Sequence, residues 1–340
     1  MPTQFLEQHI GVICMRVFIT GATGFLGPAI AHDLIKRGYQ VVGLARSEAS
    51  AEMLRANGVQ PLIGSLTNLS VLRQGAEAAD GVIHLAYSFS PGDMPRTRML
   101  SAIFGGWPGG IMGRMMKAIT ATNDAALNTL ASALSGSERP LVTAFATMGV
   151  AGASGASARG IAIETDCPNA ASPGYVRSVS EALVEHWASH KVRASIVRLA
   201  PAVHGTGDKG LIPQLALAAR KHGEVIYVGE GANHWSGVHI DDAVSLFRLA
   251  LEKGKFGGVY HGVGNDVLTY REIAEVMSQR LGLPLRSGTQ VDATRQLGFT
   301  APFVSVDNPV SSALTQAELG WAPAGLSLID DLKSPAYFSS

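Results

Sequence analysis

The stretch Val17-Phe18-Ile19-Thr20-Gly21-Ala22-Thr23-Gly24-Phe25-Leu26-Gly27 constrains this chain more than any other. An apolar β-type run (16–20) enters it and a helical pattern (28–36) leaves it, so the three glycines occupy a strand-to-helix turn. Each spacing has a physical reason. Gly21 permits the tight turn, Gly24 lets a pyrophosphate approach the backbone, and Gly27 allows the helix to pack closely on the strand. The unpaired N–H groups of the first helical turn then face the phosphates. Pro28 falls in that turn, where its missing N–H costs little. The stretch reads as a dinucleotide-binding loop, with Gly21, Thr23, Gly24, Phe25, Leu26 and Gly27 as its contacts.

The remaining chain repeats the same alternation. β-type runs at 16–20, 39–44, 60–63, 81–85, 141–145, 194–199 and 258–261 are mostly continuously apolar, as expected when helices cover both faces of a parallel sheet. Helical patterns such as 28–36 and 181–190 lie between them. The fold class is therefore α/β, a Rossmann doubly wound parallel sheet with a smaller interleaved C-terminal substrate-binding domain. The domains divide as a tail over 1–14, a Rossmann domain over 15–204, and a smaller substrate-facing domain over 205–340. Helices are expected there at 212–222, 241–252, 270–281 and 314–319, and a strand near 258–262 returns to the main sheet. The connection 88–117 carries three prolines, paired glycines, five methionines, Phe104 and Trp107. A connection this long reads either as a surface helical hairpin with core-filling methionines or as a lid over an apolar pocket.

Composition removes several alternatives. With 27 basic and 27 acidic side chains the formal charge is zero, so nothing marks a nucleic-acid partner. No uninterrupted apolar run is long enough to span a membrane. Two cysteines, Cys14 and Cys167, make no disulfide framework, which points to a reducing, cytoplasmic setting. His186 and His190 stand four apart, but no third ligand follows with zinc-like spacing, so no metal is expected. The run Gly152 to Ser157 lacks the spacing of a nucleophile elbow.

Cofactor choice is read at the end of the second strand, Val42-Gly43-Leu44-Ala45-Arg46-Ser47. An acidic residue there would hold the ribose 2′-OH of NAD, and none is present. Arg46 and Ser47 can instead meet a 2′-phosphate, so the expected cofactor is NADP(H).

Thr20 to Gly27, followed by His84-Leu85-Ala86, resembles the extended short-chain dehydrogenase/reductase superfamily, in its epimerase/dehydratase-like branch. Val197-Arg198-Leu199-Ala200-Pro201-Ala202-Val203-His204-Gly205 and Val238-His239-Ile240-Asp241-Asp242-Ala243 resemble later segments of that family. Asn233-His234-Trp235 and Leu319-Gly320-Trp321-Ala322-Pro323 are similar to an atypical subgroup. The resemblance runs from about Met15 to Leu332. It implies that Leu85, Ala86 and Tyr87 line the cofactor path, that Ser65 and Leu66 lie beside the adenine, and that Ala200 and Val203 pass near the nicotinamide. It also implies a catalytic Ser/Thr, a Tyr, and a Lys four residues after the Tyr. Thr147 and Tyr175 match the first two, whereas Val179 occupies the Lys position.

Tyr87, His204 and Trp235 are the candidate substrate residues, although a packed role suits His204 and Trp235 equally. His239 and Asp242 read as fold-stabilising. Arg177 and Glu181, four apart, read as a helix-surface pair. The implied activity is that of an NADPH-dependent short-chain dehydrogenase/reductase, a carbonyl reductase acting on a small, fairly apolar carbonyl substrate. A non-redox epimerase or lyase-like enzyme and a non-catalytic NADP(H)-binding protein stay open as alternatives, as does a homodimer.

Overall fold

The computed structural model describes residues 15–89, 95–107, 110–152 and 160–338, apart from the side chain of Met112. The expected tail 1–14 with Cys14, the stretches 90–94 and 108–109 of the long connection, and positions 153–157 of the small-residue run lie outside the described residues.

The strands are β1 (Arg16–Thr20), β2 (Gln40–Ala45), β3 (Gln60–Ile63), β4 (Gly81–His84), β5 (Pro140–Ala146), β6 (Arg193–Leu199), β7 (Ala202–His204), β8 (Val225–Val228), β9 (His234–His239), β10 (Gly258–Gly262), β11 (Val267–Thr269) and β12 (Leu285–Gly288). The helices of the first half are α1 (Leu26–Lys36), α2 (Glu48–Ala56), α3 (Leu69–Glu77), α4 (Arg96–Phe104), α5 (Ile111–Ala133), α6 (Tyr175–Ser178) and α7 (Glu181–Ser189). Those of the second are α8 (Leu211–His222), α9 (Ile240–Lys253), α10 (Tyr270–Leu281), α11 (Gln290–Leu297), α12 (Ala301–Ser305), α13 (Ala313–Leu319) and α14 (Leu328–Lys333).

Among the described residues the main sheet has seven strands in the order β10-β6-β5-β4-β1-β2-β3, with every pairing parallel. Successive side chains of a strand point to opposite faces, and here both faces are dry. Val17 and Ile19 pack with Ile30 and Leu34 of α1 and with Phe247 of α9. Phe18, between them, packs on the other face with Leu72 of α3 and Leu127 and Leu130 of α5. Double-sided burial accounts for the continuously apolar runs. Pro61 is tolerated because β3 is an edge strand, paired only to β2.

A second core gathers around Trp235, with α8, β8, α10, α11 and α12. The antiparallel pair β11–β9, the parallel pair β7–β9 and the two-stranded β12–β8 sheet frame it. A capping box of Thr269 and Glu272 starts α10. β10 pairs with β6 in the main sheet, so the chain returns to the first layer after building part of the second.

In the long connection α4 packs on α5, and Arg114 fastens the turn between them by donating to the Ala102 and Trp107 carbonyls. Phe104 is 78% exposed and Trp107 85%. Phe104 and Trp107 thus point outward, Met99 and Met115 are half-buried, Met116 is exposed, and Met94 and the Met112 side chain lie outside the described residues. A cavity of about 560 Å³ between the two helices is lined by Arg98, Arg114 and Lys117 together with Thr97, Ser101 and small alanine and glycine residues.

Candidate dinucleotide site

β1 lies between β2 and β4, so the chain's direction of travel across the sheet reverses there. A crevice forms at such a point beyond the carboxyl ends of the strands. The glycine loop closes one side of it. Gly21 has φ of 76°, and a Cβ there would stand 2.9 Å from the Ala86 nitrogen. A Cβ on Gly27 would stand 2.3 Å from the Gly21 carbonyl oxygen, so only glycine lets α1 start where it does. Phe25, the N-cap of α1, makes no side-chain cap bond, which leaves the first-turn N–H groups unclaimed by a side chain. These residues fit a pyrophosphate.

The two strands that flank the crevice are tied together at its floor. Thr20 Oγ1 and His84 Nδ1 are 2.6 Å apart and buried. Burial pushes the His84 pKa down to about 4, so the imidazole is neutral at pH 7. Leu85, Ala86 and Tyr87 follow β4 directly and are half-buried beside the loop.

At the end of β2, Arg46 is exposed, and Ser47 caps α2 by accepting from the Ser50 N–H. The Ser65 hydroxyl is engaged locally with Thr67 and Asn68, at 2.9 and 2.8 Å, and so shapes the turn after β3. Leu66 is partly packed beneath it. Ala200 is buried and Val203 half-buried after β6.

The far end of the crevice departs from the sequence reading. Arg177, expected on the surface, is turned inward. Its guanidinium lies 4.5 Å from the centre of the Tyr87 ring and about 6 Å from those of Phe89 and Phe145. Its Nη2 donates to the Ala144 carbonyl at 2.7 Å. Val179 is 44% exposed, and Tyr175, two positions from Arg177, is only half-buried. The helix breaks at 179–180, between α6 and α7, so Arg177 and Glu181 do not form the expected pair. Glu181 instead holds Arg198 of β6.

Three further candidates are packed into the fold. Thr147, just after β5, has no exposed surface, and its hydroxyl accepts from Asn308 Nδ2 at 3.1 Å, which ties that turn to the second layer. Trp235 is fully buried and donates to the Phe303 carbonyl. His204 is buried against Asp331 at 2.9 Å. Neither His204 nor Trp235 borders the crevice. Asp242 accepts from the backbones of Ala324 and Gly325, the fold-stabilising role expected of it. Nothing in the local sequence announces Asn308 as the partner of Thr147, because 161 positions separate them.

A glycine turn against an uncapped helix, opened at the reversal point of a parallel sheet, defines a dinucleotide-binding protein. The family model for the NAD dependent epimerase/dehydratase family matches residues 17–96 and 118–262, and the chain belongs to that family. It is 40% identical over 324 residues to an uncharacterized protein of Schizosaccharomyces pombe, covering 95% of this chain and 100% of that one. It is 26% identical over 264 residues to the decarboxylating sterol-4-alpha-carboxylate 3-dehydrogenase of Dictyostelium discoideum, covering 76% and 74%. In fold it matches a dTDP-glucose 4,6-dehydratase of Streptomyces venezuelae with TM-score 0.71 at 19% identity, covering 95% and 96%. The family is named for NAD dependent epimerases and dehydratases, and its curated relatives include a dehydrogenase by name. No described helix is long and apolar enough to cross a membrane.

Proposed function

We propose that the chain is an NADPH-dependent carbonyl reductase acting on a small, largely apolar carbonyl compound. The observation that carries this reading is the crevice wall beyond β4, where Tyr87, Phe89 and Phe145 surround Arg177 next to the dinucleotide loop. Gly21, Gly24, Gly27 and the start of α1 hold the pyrophosphate. Arg46 and Ser47 hold the 2′-phosphate of the adenosine half.

When bound, the nicotinamide supplies a hydride to the carbonyl carbon. The alkoxide oxygen then needs one proton. We assign this proton to Tyr87, which immediately follows Ala86 beside the glycine loop. Burial pushes the Tyr87 phenol up, which keeps it protonated, while the adjacent Arg177 cation opposes that shift and favours proton release.

Two expected outcomes follow from one assay of nicotinamide oxidation with added ketones. Arg46→Ala weakens NADPH by about ten- to a hundredfold, the worth of one charge-assisted contact, and leaves NADH nearly unchanged. Equal affinity of the native protein for NADH and NADPH removes the coenzyme assignment. Tyr87→Phe lowers kcat by about a hundredfold, the lower end for a lost general acid. Tyr175→Phe stays close to the parent, and the reverse pattern returns the proton to Tyr175.

A further inference from the structure

We infer that the α4–α5 hairpin docks the protein on an anionic phospholipid surface. Its apolar tip enters the interface, and the cations behind that tip meet the lipid phosphates. The contact needs neither cofactor nor carbonyl compound, so it stands apart from the reductase reading.

The tip presents apolar surface to water. Arg96, Leu100 and Phe104 follow one another at four-residue spacing on α4, which sets them on one stripe, and all three are exposed. Trp107, in the turn that follows, and Met116 on α5 are exposed as well. The turn is held in shape, because Arg114 donates to the Ala102 and Trp107 carbonyls at 2.9 and 3.0 Å. A tryptophan and a phenylalanine held out on a fixed turn forgo the burial that their rings would gain in a core. Such rings are favoured at the headgroup level of a bilayer, with aliphatic neighbours reaching deeper.

The hairpin is also one-sided in charge. Between Asp80 and Asp124 the sequence carries Arg96, Arg98, Arg114 and Lys117 against a single acid, Asp93, so this stretch is basic whatever Asp93 contacts. Arg98, Arg114 and Lys117 line the cavity of about 560 Å³ between α4 and α5, and no carboxylate is among its lining residues. Phe104 stands seven positions after Thr97, which lines that cavity, so the apolar stripe and the cationic cavity share a border. Apolar side chains beside basic ones, on one face, match the layering of an anionic bilayer surface, phosphates above hydrocarbon. A second copy of the same face would set like charges together. A nucleic-acid strand would use the cations but leave Leu100 and Met116 in water.

Vesicle sedimentation of the full chain tests the docking, with vesicles of phosphatidylcholine and phosphatidylglycerol in equal parts against phosphatidylcholine alone. The native protein partitions onto the anionic vesicles at least about twentyfold more strongly, since each basic residue near such a surface contributes about fivefold. F104S with W107S, and separately R96Q with K117Q, each lower that partition at least about tenfold. All four side chains are exposed or half-buried at the surface, so thermal unfolding of these variants stays that of the native protein. Anionic vesicles also shift the native tryptophan emission to the blue, and W107F loses that shift while still binding. Equal partition onto the two vesicle types, or none onto either, overturns the inference and needs no variant. So does anionic binding that survives both pairs of substitutions, which places the contact elsewhere. Binding of a polyuridine strand without binding of vesicles overturns it too, and assigns the cations to nucleic acid.

Discussion

Glu181→Ala lowers the unfolding free energy by about 3–5 kcal/mol, the usual cost of removing one partner from a buried ion pair. Arg198 and Glu181 are 3% and 7% exposed. The same guanidinium also donates to the Asp166 carbonyl at 2.9 Å, so it clamps the segment after the small-residue run onto β6. Left without Glu181, Arg198 keeps its charge in a dry place beside His261. That imidazole is already held neutral, its pKa near about 3 through burial and then through the same cation. Urea denaturation measures the loss. Replacing both partners at once, as in Glu181→Leu with Arg198→Met, costs less than the single change, because no orphan charge remains. A loss below about 1 kcal/mol for Glu181→Ala would mean that water reaches the pair.

Gly27→Val reduces dinucleotide affinity by at least about a hundredfold, near 3 kcal/mol. The contact is with backbone, 2.3 Å to the Gly21 oxygen and 2.6 Å to the Ala22 Cα, so no side chain can swing aside. Either α1 backs away from the turn or the turn opens, and both move the first-turn N–H groups off the phosphates. Gly24 is a useful contrast. A Cβ there meets only the Gly21 oxygen, at 3.2 Å, and the residue is exposed. Gly24→Ala therefore leaves the fold close to its original stability and acts through the ligand alone. Nucleotide titration alongside thermal unfolding separates the two. Unchanged affinity in Gly27→Val would remove the loop from the binding site.

Much of the fold was legible because its signals are local. Gly21, Gly24 and Gly27 stand at fixed offsets, and runs such as Phe18-Ile19 and Val82-Ile83 are apolar because both faces of the sheet are covered. Less was legible where short strands gain their identity from partners far along the chain. β8, β9, β11 and β12 lie in turn-rich sequence and are specified by pairing with each other and by packing around Trp235. That same packing is what the sequence could not decide for Trp235 and His204: an aromatic and a histidine near a glycine turn look alike in sequence whether they border a cleft or fill a core. The Arg177 and Glu181 spacing was visible, but its direction was not. It was read on one continuous helix, whereas the break at 179–180 lets each side chain find a different partner. Thr147 shows the same limit, since only the fold brings Asn308 to its hydroxyl.

The central claim, hydride delivery to a carbonyl carbon, is tested most directly with NADPH carrying deuterium at the transferable position of the nicotinamide. Incubated with a carbonyl compound the protein converts, it yields an alcohol with deuterium on the new carbinol carbon and one oxidised nicotinamide per product. Product formed without deuterium and without net nicotinamide oxidation contradicts the account and assigns the chain to the non-redox chemistry of its family.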